Sequence, residues 1–165
     1  FCGPGGGFAS SNDLVAKDVL TVMYRFCLSL HALPTSAITS RENMIKGVPV
    51  SCLEMKPEQS HLPLDVSFEE AVVALNQLTR MFCEPDGSFV WRGDDQGGWQ
   101  VDGVLFDRGG KLLYIELRGV CPVQQFDDIL RSLGWPKTKI MFQLVAEGVF
   151  VDEATLRQLL QIIGD

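Results

Sequence analysis

Apolar residues recur along this chain in two rhythms, one of three to four residues and one of two. Asn12 or Asp13 can cap a helix in which Val15, Val19, Val22, Phe26 and Leu30 share one face, and Pro34 follows. That spacing predicts a helix to about Leu30. Residues 35–64 are the least regular. A short helix is expected over residues 40–45 before Gly47, then a strand over 48–55 that Pro49 confines to a sheet edge. Pro57 and Pro63 frame a polar loop. Ser67-Phe68-Glu69-Glu70 spells a capping box and opens a helix to about Phe82, with Val72, Leu75, Leu78 and Phe82 at helical spacing.

The rhythm then shortens. Glu84-Pro85-Asp86-Gly87 has the chemistry of a turn, and strands are expected over residues 88–92, from Gly98 onward, and up to Gly119. Pro122 suits the first turn of a helix whose stripe is Phe126, Ile129, Leu130 and Leu133, closed by Gly134. A strand over 139–145, a turn at Glu147-Gly148 and a further strand at 149–151 follow. Asp152 caps a last helix bearing Leu156, Leu159, Leu160 and Ile163. The succession predicts an α+β protein: a mainly antiparallel sheet with a three-strand meander and helices packed on it. Residues 1–11, rich in glycine, read as a flexible lead and 12–165 as one domain. A chain opening on Phe rather than Met reads as a fragment or a processed form.

Composition narrows the function classes. With 14 Lys+Arg against 21 Asp+Glu the net charge is −7, and no basic run offers a nucleic-acid stripe. The five cysteines are scattered without a C-x-x-C pair, and His31 and His61 are the only histidines, so a zinc site is not expected. Reduced thiols in a cytoplasmic protein are the expectation. No apolar run approaches the roughly 20 residues of a membrane span.

Candidate chemistry lies between Gly98 and Gly119. Asp102 sits in the first strand of a hairpin, and Glu116-Leu117-Arg118 in the second. A three-residue loop Arg108-Gly109-Gly110 would set Asp102 directly opposite Glu116, close enough to share a divalent cation. A two-residue loop would put the acids on opposite faces. The plainer expectation is a solvated cross-strand ion-pair ladder of Asp102, Glu116 and Arg118.

Asp102 followed by Glu116-Leu117-Arg118, with a helix before and after, resembles the PD-(D/E)xK nuclease-like family. The resemblance covers roughly residues 67–145, with Arg118 in the place of the family's lysine. It implies Asp102 and Glu116 as ligands of Mg2+ or Mn2+ and the Leu117 carbonyl as a third. It further implies a carboxylate from Glu69 or Glu70, and Arg118 steadying a phosphate. Size, acidity and element order also resemble the type III secretion chaperones, which implies a dimer that binds an extended partner segment. The preferred expectation is a non-catalytic binding or adaptor module without a cofactor, burying a partner segment against a sheet face or edge. Trp99, Phe106 and Tyr114 are its expected contacts. A divalent-metal nuclease or phosphodiesterase is the alternative.

Overall fold

The computed structural model describes residues 21–36, 38–94 and 98–163. Its strands are β1 (Met23–Ala32), β2 (Thr39–Ile45), β3 (Val48–Glu54), β4 (Met81–Cys83), β5 (Ser88–Arg92), β6 (Gln100–Arg108), β7 (Lys111–Pro122), β8 (Ile140–Leu144) and β9 (Val149–Asp152). The helices are α1 (Phe68–Leu75), α2 (Val123–Ser132) and α3 (Glu153–Ile163), and a 3-10 turn covers Pro57–Gln59. The strands form one nine-stranded sheet in the order β2-β3-β9-β8-β1-β7-β6-β5-β4. Every pairing is antiparallel. The fold is α+β and mostly sheet. The expected meander is β5-β6-β7, lengthened by β4.

One face of the sheet carries the core. Tyr24, Phe26, Leu28 and Leu30 of β1 alternate inward with Ile115 and Leu117 of β7 and Val101 and Leu105 of β6, all buried. The amphipathic helices lie against this face, their buried positions being Ala71 and Leu75 in α1, Phe126, Ile129 and Leu130 in α2, and Leu156, Leu159 and Leu160 in α3. Phe126 meets Tyr24 edge-on at 5.6 Å between ring centroids. Arg157 of α3 bonds Asp127 at 2.6 Å and Glu153 at 2.8 Å, and Glu153 also accepts from the Trp135 indole at 2.7 Å. These bonds pin α3 to α2. Gly103 lets the Phe89 ring of β5 lie over the backbone of β6, because a Cβ there would collide with the ring's Cζ.

Four expectations are corrected. Residues 23–32 are the central strand of the sheet, not the end of a helix. Phe26 and Leu30, four apart, satisfy a helical stripe, but four is also twice the strand period, and buried Tyr24 and Leu28 complete the alternation. The helix start at Asn12 or Asp13 and the lead of residues 1–11 lie outside the described residues. Residues 39–45 form edge strand β2 rather than a helix, and its polar side chains other than half-buried Asn43 stand exposed, as suits an edge. The capping box at Ser67 is present, but α1 ends at Leu75. Arg80 at φ 64° then turns the chain so that Phe82 belongs to β4. Pro49 does not put β3 at the sheet edge, since β3 lies between β2 and β9; it pairs with β9 only at Leu53, so among the described residues no strand needs the N–H that Pro49 lacks on that side.

Candidate functional site

The register of the β6–β7 hairpin places the acids. Its loop is the two residues Gly109 and Gly110, at φ 61° and 79°, so Arg108 faces Lys111. Two consecutive left-handed residues are what a tight hairpin turn requires, and Asp107 accepts from the Gly110 N–H at 3.0 Å. The register then slips between Phe106 and Asp107, leaving Leu113 as a bulge. The bulge restores the parity that the short loop would have lost. Asp102 therefore stands opposite Arg118, and Glu116 opposite Val104. Asp102 and Glu116 share the face remote from the helices, on a diagonal rather than directly opposed. Neither of the two geometries expected from loop length alone is present.

All three side chains are exposed. Asp102 accepts from Gln100 Nε2 at 2.8 Å, and neither it nor Glu116 lies within 4 Å of a cation among the described residues. The expected ion-pair ladder is absent: Arg118, which the register sets opposite Asp102, bridges neither Asp102 nor Glu116. Among the described residues no group of three or more His, Cys, Asp or Glu side chains converges as metal ligands would. Glu70, a candidate helix carboxylate, is occupied by its own capping box, accepting from the Ser67 N–H at 2.8 Å. Those hydrogen bonds hold its carboxyl below the usual range.

The expected contact residues divide between the faces. Phe106 and Tyr114 stack at 4.5 Å on the face remote from the helices. The row continues from Tyr114 to His31 at 5.3 Å and from His31 to Phe150 at 5.3 Å. Trp99 lies on the other face, edge-on against Trp91 at 4.9 Å, where Gly93 gives it room. It is a packing residue rather than part of this row.

Part of the remote face is covered. The segment between β3 and α1 brings Ser60 against His31 and bonds Leu64 N to Leu112 O at 2.8 Å. Beneath it Ser29, His31 and Met141 are buried. The Ser29 hydroxyl donates to Gln143 at 3.2 Å, so it accepts from His31 Nε2 at 2.9 Å. Nδ1 is then left as a bare acceptor with no hydrogen bond of ordinary geometry. Burial pushes the His31 pKa down to about 4, with His61 acting in the same sense and the Ser60 backbone opposing both.

The uncovered remainder forms a groove of about 530 Å³ running across the strands. It passes from Phe82 on β4, over Val90 and Val104, to Cys27 on β1 and Val145 beyond β8. Glu84, Asp102, Glu116 and Arg118 also line it. Phe82 is 65 % exposed and Val145 52 %. An open face on an antiparallel sheet is ordinary, whereas large apolar side chains standing in solvent at both ends of one groove are not. Phe82, Val90, Val104 and Val145 were not singled out by sequence reasoning. The alternation of Val104 and Phe106 with buried Leu105 was the readable signal, and Phe82 was hidden by its fit to a helical stripe.

No family model matches this chain, and no curated protein or solved structure matches it either. No helix among the described residues is long and apolar enough to cross a membrane.

Proposed function

We propose that the protein is a non-catalytic binding module that seats a segment of a partner protein across the remote face of its sheet. The observation that carries this reading is the pair of exposed apolar residues, Phe82 and Val145, at opposite ends of one groove. Between them Val90 and Val104 supply apolar contact, while Glu84, Asp102 and Glu116 outnumber Arg118. A segment carrying apolar residues beside a lysine or arginine complements that lining. Phe106 and Tyr114 extend the apolar surface beyond the groove. The described cysteines, Cys27, Cys52, Cys83 and Cys121, are free thiols, which supports a cytoplasmic setting.

Display selection from a random peptide library tests the reading. The expected result is enrichment of peptides that combine apolar and basic residues, with binding lost in Val104→Asp. Enrichment of sequences without that pattern, or binding indifferent to Val104→Asp, would contradict it.

A further inference from the structure

Strand β1 is central in the sheet but is flanked on both sides for only part of its length. Against β7 it pairs from Met23 to His31. Against β8 it pairs only from Leu28 to Ala32, with Leu28 opposite Leu144. After Leu144 the chain turns away, and Gly148 N closes the turn on Leu144 O at 2.8 Å. Residues 23–27 therefore have no strand on that side among the described residues. Alternate backbone N–H and C=O groups of a strand point to each side, so among the described residues this stretch presents a hydrogen-bonding edge that no strand meets.

The gap beside this edge is a cavity of about 360 Å³. Its floor is apolar: Phe26 comes from β1, Ile45 from the β2–β3 hairpin, and Leu156 and Leu160 from α3. Its rim is cationic. Arg25, Lys46 and Arg118 all line it, against Glu147 alone among acids. This is a local reversal in a chain of net charge −7. None of the three cations lies within 4 Å of a carboxylate among the described residues, where the ion pairs belong to Arg131 and Arg157.

We propose that an extended, acidic segment of a partner protein adds as a β-strand to residues 23–27 in this gap. Its backbone completes the edge of β1. Its side chains alternate, one set meeting Phe26, Leu156 and Leu160 and the other standing beside Arg25, Arg118 and Lys46. The occupant is thus a short run of alternating apolar and acidic residues. Backbone pairing supplies affinity and the cations supply selection against basic sequences. The gap adjoins the groove, since Cys27, Leu28 and Arg118 line both. The proposal goes beyond the groove reading and requires neither Phe82 nor Val104.

The test uses the full chain, labelled with nitrogen-15, and a capped heptapeptide of alternating Val and Glu. Two control peptides carry N-methyl groups on one or the other alternate set of amides, and a third replaces Glu by Lys. Slowed exchange of alternate amides within residues 23–27 on adding the Glu peptide is the expected result. Binding should be lost with one of the two methylated peptides and fall about tenfold or more with the Lys peptide. Arg25→Glu with Lys46→Glu, both at exposed positions, should weaken the Glu peptide by about tenfold and leave the melting temperature in place. Binding that tolerates both methylated peptides, equal binding of the Lys peptide, or no binding at millimolar peptide would overturn the proposal. Failure of the Glu peptide at residues 23–27, with apolar and basic peptides still binding across Val104, would overturn it while leaving the groove reading standing.

Discussion

Asp102 stands directly across the β6–β7 ladder from Arg118, yet the two make no ion pair, and the Asp102 carboxylate is held instead by Gln100 at 2.8 Å. The charges on this face are free to meet something else. A metal site would hold its carboxylates together through the cation, whereas Asp102 and Glu116 sit on a diagonal, both exposed. Millimolar Mg2+ or Mn2+ is therefore expected to leave the melting temperature unchanged. Asp102→Ala should alter stability by less than about 0.5 kcal/mol, as is usual for surface positions. Stabilisation by Mn2+ that Asp102→Ala abolishes would restore the metal-dependent phosphodiesterase reading.

The buried imidazole of His31 gives a pH dependence of defined sign. Its pKa is pushed down to about 4 by burial, against an ordinary 6.5 in the unfolded chain. As pH falls from 6.5 towards 4 the unfolded state takes up a proton that the folded state does not. Stability is therefore full above pH 6.5 and is lost as pH falls through this window, by about 3 kcal/mol from this group. Denaturant titrations at pH 7.5 and 4.5 should show the loss, and His31→Gln should flatten it. An unchanged slope in that variant would contradict the assignment.

Gly103 is fixed by Phe89, whose ring occupies the place of a side chain. Gly103→Ala should cost about 2 kcal/mol through displacement of Phe89 from the core, measured as a fall in the urea midpoint. Combining it with Phe89→Leu should recover part of the loss, because the two positions share one volume. Strict additivity of the two changes would argue against the contact.

Arg157 links α3 to α2 through Asp127 and to its own helix through Glu153, with its guanidinium 5.6 Å from the Trp135 ring and 5.8 Å from that of Phe126. Arg157→Ala removes the cation of Glu153 and leaves Asp127 with only Arg131 at 3.9 Å, and is expected to cost about 2 kcal/mol. Asp127→Asn should cost less, since the amide oxygen still accepts. Equal costs would show that charge rather than hydrogen bonding holds the helices.

The sheet's second half was legible because its signals are local. Ser67 caps α1, Glu84 to Gly87 turns the chain with a bond from Gly87 N to Glu84 O at 3.0 Å, and Asp152 caps α3 through Thr155 N at 2.8 Å. Each depends on a few adjacent residues. In the first half spacing alone is ambiguous. Phe26 and Leu30 fit either period, and a central strand buried on one face and partly covered on the other reads as a continuous apolar run. The candidate acids depended on a bulge at Leu113, which nothing in a run of apolar residues announces. The groove was less legible still. It is assembled from five strands and the end of a sixth, and no single segment carries its pattern.

A partner segment seated as proposed would touch the remote face between Phe82 and Val145 and no other surface. The most direct measurement is mapping of amide and methyl shifts on the full chain with a peptide obtained by display selection. Saturable changes centred on Val90, Val104 and Val145 that vanish in Val104→Asp are expected, with α1 and α3 unaffected. Changes centred on the helical face, or on no contiguous surface, would contradict it.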